Sequence, residues 1–555
     1  MGYARGMRET RRFEVGTAGA RRWAPAIVGL ASWFLAPTAL AATLYVDASA
    51  PPGGDGSMGA PFDDLQPALD AAQPGDQIIV QPGTYSPFST VRDGTQQAPI
   101  TITAMVPGDA IVQADGRAAD LAHTFHVLDG LVLDGGYGAQ DTVRADGAHD
   151  LVLRHVEVRR SGADCIDLRS THRVRIEASS IHHCVAESGG QVADAHGVTG
   201  DSVLGLAVVD TEIFLASGDA IQLSPSREPW TDLVVERCVF WTGPLDEAAG
   251  PIPAGTTIGE NALDTKVGDM GDGNGGAPKV RVSDVVAYGY RDVITNQAAF
   301  NLKEDIDAVL DRLTVYDSEI AFRLRAPAAV VVSNAVVYEV DKAFRLEDGL
   351  AGARIVHATL GGGIAQAFQD AGGSPVDLAI ENLLVLGDAV PPPADASPSN
   401  LAVDAGAFVD AAGHDYHLVA GAAPVDAAGA LPPGVVVDAD RDGTARPQGP
   451  AADVGAYEWS EGGGTTTTGD SAGTTAESTA GGTTAGGTAG ATAGGTAGAT
   501  GAQTGTGDAG STGGTSGQGA AADGGCGCRS TQPPPGALAS PWMLLLSLRR
   551  RRATR

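Results

Sequence analysis

The sequence predicts an all-β fold, a parallel β-helix solenoid with an N-terminal capping helix. Two repeating columns, and the residue types that fill them, lead there. A seven-residue pattern recurs as DCIDLRS from Asp164, DAHGVTG from Asp194, DAIQLSP from Asp219, NALDTKV from Asn261, AAFNLKE from Ala298, IAFRLRA from Ile320 and KAFRLED from Lys342. Its second position is always small. Its third and fifth are usually apolar (His196 is the exception at the third), and its fourth and sixth are mostly polar. That is the period-two alternation of a strand with one buried face. Successive copies start 30, 25, 42, 37, 22 and 22 residues apart, so one unit repeats with insertions expected at one corner. A second column runs in step: VRVSDVVAY ends at Tyr288, AVLDRLTVY at Tyr316 and VVVSNAVVY at Tyr338. Short strands joined by Gly/Asp/Ser turns stack coil on coil in a β-helix. Helical solenoids are disfavoured, because Val, Ile, Thr, Tyr and Phe fill these strands without a 3.6-residue period. Phe300, Phe322 and Phe344 should form an internal stack, one ring per coil, about 4.8 Å apart.

The remaining segments follow in chain order. Residues 1–41 carry Arg5, Arg8, Arg11, Arg12, Arg21 and Arg22, then a short apolar run and Ala39-Leu40-Ala41, the order of a secretory signal peptide. Residues 42–99 read as the N-terminal cap and first coil. Leu44-Tyr45-Val46-Asp47 is a first strand, and residues 61–72 (PFDDLQPALDAA) form an amphipathic helix with Phe62, Leu65 and Leu69 on one face. Such a cap covers the apolar end of a solenoid. Residues 100–390 hold the coils, and 391–460 a C-terminal module expected to cover the far end. Within it Asp438, Asp440, Asp442 and Gly443 mimic the start of a calcium loop, but Gly449 stands where the twelfth-position Glu should be, so a polar turn is expected. Residues 461–524 collapse into Gly, Thr, Ala and Ser, a flexible stalk that can bury no core. Residues 525–555 hold Cys526, Cys528, a short apolar run and Arg549–Arg552.

Composition narrows the function. The formal charge is −31, and removing residues 1–41, with six Arg and two Glu, leaves −35. Nonspecific nucleic-acid binding is therefore disfavoured, and no nucleic-acid partner is expected. Of five cysteines, Cys165, Cys184 and Cys238 lie on or beside strands; buried free thiols are the default expectation, with a Cys165–Cys184 disulfide as the alternative.

The opening YVDAS…PF..LQ.ALDAA.PGD.I.V.PGTY resembles that of secreted right-handed β-helix proteins of the pectate-lyase-like superfamily, including family-nine pectate lyases and their non-catalytic relatives. The resemblance implies a right-handed coil and marks the fold more than the activity. The Cys/apolar/Arg tail resembles myxobacterial-type sorting tails. That implies cleavage by envelope anchoring machinery and retention at the cell surface through Cys526 or Cys528. The chain is expected to be extracellular and monomeric.

Chemistry is expected on the polar positions of the repeat, which form two outward ladders. Position four reads Asp167, Gly197, Gln222, Asp264, Asn301, Arg323, Arg345; position six reads Arg169, Thr199, Ser224, Lys266, Lys303, Arg325, Glu347. Lys266, Lys303, Arg323 and Arg325 make a basic patch on an acidic protein, suited to the carboxylates of an acidic polysaccharide. A solvated strand face is also charged, which is the bland reading.

The sharpest segment is residues 259–266, GENALDTK, whose GENA portion is similar to one in family-nine pectate lyases. Uronate β-elimination needs a base beside the carboxylate and a cation to neutralise it. Lys266 is the candidate base, its pKa lowered by a neighbouring cation, with Lys303 and Arg325 as the further candidate catalytic cations. Asn301, Arg323 and Arg169 are candidate substrate contacts. Asp264, Glu260, Asp219 and Asp194 are candidate ligands for calcium, the candidate cofactor, with further oxygens in residues 269–275. Residues 241–259 are read as a loop walling a groove beside Lys266. His196 is read as a core histidine, and His182 and His183 as lacking the further ligands a zinc site needs. Two rivals remain: a glycoside hydrolase using Asp167, Asp194, Asp219 and Asp264, and a non-catalytic adhesion or display rod.

Overall fold

The computed structural model describes residues 41–224, 230–266, 279–326, 328–350 and 352–461. The leader, the stalk, the tail with Cys526 and Cys528, and the acidic loop 269–275 lie outside the described residues.

The described chain is a right-handed parallel β-helix with three sheets. Each coil runs from the first sheet to the second and then the third. The first has 13 strands, from Thr43–Val46 to Ala379–Glu381. The second has 13, from Gly83–Tyr85 to Leu401–Val403, and the third has 11, from Phe88–Ser89 to Gln366–Ala371. The corner from first to second sheet is sharp because a single left-handed residue makes it. Arg312, Asn334, His357 and Asn382 occupy that place in successive coils, at φ 58, 50, 51 and 59°. The other two corners carry the insertions. A hairpin, Ala186–Ser188 with Gln191–Ala193, and residues 242–262 and 289–297 lie between second and third sheets, and a further long sequence interval separates the third-sheet strand Leu263–Thr265 from the first-sheet strand Lys279–Ser283. The long gaps therefore arise at two corners, not one.

Inward side chains stack in register. Phe300, Phe322 and Phe344 are fully buried, and Phe368 continues the column, with ring centroids 5.5, 5.1 and 5.4 Å apart. The spacings exceed the strand repeat because offset rings avoid face-to-face repulsion. Outside the second sheet a further ladder runs His182, Phe214, Trp241, Tyr288, Tyr316, Tyr338, with neighbouring centroids 4.5–6.1 Å apart.

Four local expectations change. The cap helix is shorter than residues 61–72: Leu65–Ala71, with Asp64 as its N-cap and Leu65, Ala68 and Leu69 buried. Phe62 instead bridges to Val46 in extended backbone. The C-terminal module reaches the far end only at its start, where Ala394 joins the core with Phe368 and Ile380; its remainder packs along the flank of the second sheet, where Phe408, Tyr416, Leu418, Val454 and Ala456 cover Val336 and Leu384. Asp440 there accepts from the Asp442, Thr444 and Glu458 amides, which makes it a polar turn. Cys165 and Cys184 are joined by a disulfide, against the default expectation of free thiols; Cys238 is free and buried. Both cysteines face the interior, one before the third sheet and one ending a second-sheet strand, which brings their Cα atoms to 5.4 Å. Finally, the copy at Asp194 slips by two residues. Ile166 pairs with Val198 and Asp167 with Thr199. Gly197, not Ala195, thus takes the small position, because a Cβ there would meet Ile213 Cγ2 at 2.4 Å and the Ala220 carbonyl oxygen at 2.6 Å.

Candidate functional site on the third sheet

Strand register builds the ladder that matters. Along the third sheet Asp167, Thr199, Gln222, Asp264, Asn301, Arg323 and Arg345 pair in succession. The sixth-position residues follow, with Arg169 opposite Asp201 and Arg325 opposite Glu347. Gly197 and Thr199 leave the places first read for them, Thr199 moving to the fourth column.

Asp264 is the centre. It sits on the strand Leu263–Thr265, with its side chain only 5% exposed. Lys303 Nζ lies 2.9 Å from Oδ1 and 3.0 Å from Oδ2. Lys266 Nζ is 3.6 Å from Oδ2 and also donates to Gln222 Oε1. The two amines differ in access: the Lys303 side chain is 13% exposed, that of Lys266 41%. Burial alone pushes the Lys266 ammonium down, but Asp264, Asp219 and Glu260 together push it up further, so its pKa is raised. The expected lowering is thus reversed, because carboxylates outnumber cations around it.

An acidic cluster lies beside this pair. Asp219 is wholly buried; its Oδ1 accepts from the Asn261 backbone amide (3.1 Å) and side-chain amide (2.7 Å), while Oδ2 has no hydrogen-bond partner. Asn261 Oδ1 in turn accepts from the Ala298 amide, tying three coils together. Burial, then the charge of Asp264, raises Asp219 to about 6. Burial, then Asp219 and Asp194, raises Glu260 to about 8. His196 Nδ1 donates to Asp164 Oδ1 at 2.8 Å, and its Nε2 lies 3.6 Å from Asp219 Oδ2. Burial works against its charge, but Asp164 and Asp219 raise it to about 9. It is therefore an ion-paired residue between two carboxylates, in the connection before its strand rather than at an inward strand position.

Lys266, Lys303, Asp264, Asn301, Asp219 and Glu260 thus come together. Asp194 stands at the exposed edge of this group. Arg169 does not join it, being paired with Asp167 at 2.6 Å, three coils away. Arg323 and Arg325 sit two coils further along the other way and converge on Glu347. Sequence reasoning missed Gln222, Asn261, Asp164 and the role of His196. Gln222 was legible as the fourth-column neighbour of Asp264; the others needed contacts between coils. The loop over residues 242–258 packs Leu245, Ala249, Ile252 and Ile258 against Val185 and Leu215, on the flank of the second sheet. It is tied there by Asp246 to His183 (2.7 Å) and by Tyr137 Oη to Glu247 (2.7 Å). It delivers Glu260 to the cluster rather than walling Lys266.

Calcium would need hard oxygen donors. Asp219, Glu260 and Asp194 supply that chemistry, and Asp219 Oδ2 is a buried oxygen with no hydrogen bond, facing the His196 ring at 3.6 Å; Asp264, taken by two lysines, is not part of that set. Among the described residues no three His, Cys, Asp or Glu side chains converge as a preformed cage, His182 and His183 included.

Fold and site together define a right-handed parallel β-helix bearing a lysine–aspartate centre on its third sheet. Its sequence is similar to the pectate lyase PEL9 of Emericella nidulans, 32% identical over 104 residues, which is 17% of this chain. The match spans a quarter of that relative's length. Among solved structures, pectate lyase Pel9A aligns over 75% of this chain and 96% of its own at 15% identity, TM-score 0.43. A rhamnogalacturonan lyase aligns over 61% and 87% at 14% identity, TM-score 0.41. No family model matches the chain.

Proposed function

We propose that the protein binds an acidic polysaccharide along the third sheet and cleaves it by β-elimination, with Lys266 as the proton acceptor. The observation that carries this reading is the division of labour on Asp264: a buried Lys303 fixes the carboxylate, leaving a half-exposed Lys266 amine held beside it. In the reaction the amine takes the proton next to the uronate carboxylate. The electron pair forms the C4=C5 double bond, and the glycosidic oxygen leaves and takes up a proton from water. The neighbouring acids keep Lys266 protonated, so little of the neutral, proton-accepting amine is present in the free protein near neutral pH, and the proposed activity rises in alkali. Asn301 lies on the adjacent rung for hydroxyl contacts, and Lys303 adds positive charge for the substrate carboxylate. Asp219, Glu260 and Asp194 form no preformed cage, so they would have to draw together to hold calcium, which would supply further charge for that carboxylate. The leader and the Cys526/Cys528 tail in the sequence support secretion and envelope retention.

The test incubates the full chain with polygalacturonate, alginate and chondroitin sulfate, with calcium or with a chelator. The ultraviolet band of an unsaturated uronate should appear and should vanish in Lys266→Ala. New reducing ends without that band would instead mean hydrolysis. Binding without either product would mean a non-catalytic glycan module.

A further inference from the structure

Beyond Asp264 the ladder changes character. Glu347 is 4% exposed and is approached by three guanidiniums from two adjacent strands. Arg323 gives it two hydrogen bonds, Nε at 2.9 Å and Nη2 at 3.2 Å. Arg325 Nε lies 3.0 Å from Oε2, and Arg345 Nε donates to Oε1. One buried carboxylate cannot neutralise three cations. Among the described residues the one other carboxylate paired with them is the exposed Asp348, 3.6 Å from Arg325 Nε. Positive charge is thus concentrated here on a chain of net charge −31. Crowding guanidiniums on neighbouring rungs is unfavourable unless an anion shares them, and their planar forks match carboxylates. Register places Arg323 two coils and Arg345 three coils past Asp264, roughly 10 and 14 Å at the strand spacing.

We infer that Arg323, Arg325 and Arg345 form a second, non-reacting anion subsite that takes a uronate carboxylate further along the same bound chain. This rests on the reading that the third sheet faces an acidic glycan, but not on Lys266 being a base. The subsite would favour long polyuronates over short ones. It makes Arg325 a binding residue, too far from Asp264 to touch the reacting atoms.

The test measures binding in the full-length Lys266→Ala background, so that turnover plays no part. Polygalacturonate is titrated by affinity electrophoresis at two salt concentrations, with neutral galactan as control. Arg345→Gln should weaken polygalacturonate binding about tenfold, the loss of one charge-assisted contact, and flatten its salt dependence. Glu347→Gln should do the opposite and bind more tightly, because it frees the three cations; a purely structural cluster would not gain affinity. Unchanged binding in Arg345→Gln, or weaker binding in a Glu347→Gln protein that still melts cooperatively, overturns the inference. Lyase failure with these two shifts intact would remove the proposed reaction and leave the subsite standing.

Discussion

Lys303 holds both oxygens of Asp264, at 2.9 and 3.0 Å, from the next coil of the third sheet. It is a cross-coil ion pair that water scarcely reaches. Lys303→Ala therefore strips a buried carboxylate of its main partner, which costs about 3 kcal/mol, whereas Lys266→Ala removes a half-exposed pair and costs under about 1 kcal/mol. Urea denaturation of the two variants should separate them in that order. The proposed lyase activity should fall in both, through loss of the centre in the first and loss of the proposed base in the second.

The phenylalanine column predicts a larger, local effect. Phe322 is fully buried between Phe300 and Phe344, at 5.5 and 5.1 Å. Phe322→Ala leaves a ring-sized void between two stacked rings and should cost about 3–5 kcal/mol. Because coils contact only their neighbours, hydrogen exchange should accelerate most in the strands Ala298–Leu302 and Val340–Glu347 and little near the cap helix. Uniform acceleration from end to end would contradict nearest-neighbour stacking.

Acid should loosen the flank where the C-terminal module docks. His357 is neutral in the fold: burial, then the charge of Arg446, lowers its pKa to about 3 from 6.5. It lies in hydrogen-bond contact with the Asp453 carbonyl through Nδ1 and with Asn382 through Nε2. The unfolded chain binds a proton near pH 6.5 that the fold refuses. Stability from this group is thus complete above that pH and lost as pH falls toward 3, by at most about 1.4 kcal/mol per unit. The coils on either side place Asn334 and Asn382 at the same left-handed corner. His357→Asn should therefore fold, and its stability should drop less than the parent's between pH 7 and 4.5 in urea titrations.

How much of this was legible follows from the range of each interaction. Period-two alternation and the Phe300/Phe322/Phe344 column are local and regular, so the coil and most of its register could be read directly. The copy at Asp194 failed because DAHGVTG matches the pattern in two frames. Only the space between Ile213 and Ala220 decides that Gly197 takes the small position. Lys266, Lys303 and Asp264 were readable as ladder neighbours. The sign of the Lys266 shift was not, since it depends on Asp219 and Glu260 arriving from other coils and corners. The helix over residues 61–72 was overlong for a similar reason: Phe62 gains more by bridging to Val46 than by extending one helical turn.

The disulfide connects the fold to the site. Cys165 follows Asp164, the carboxylate that holds both the His196 amide and ring at 2.8 Å, and His196 in turn lies against Asp219. Closing a loop of 19 residues between Cys165 and Cys184 stabilises by about 3 kcal/mol in the chain-entropy account. The paired Cys165→Ala/Cys184→Ala variant should accordingly melt lower while the parent, with both sulfurs buried, resists mild reductant in the native state. The structural chain also predicts a functional cost. Freed of the crosslink, Asp164 holds His196 less firmly, and the cluster around Asp219 loses a fixed wall. The proposed glycan cleavage should then fall at temperatures well below the variant's own melting point, and the loss should shrink on cooling. A variant that melts lower yet cleaves at the parent rate until it unfolds would confine the disulfide to stability and break the proposed link from Cys165 through Asp164 and His196 to Asp219.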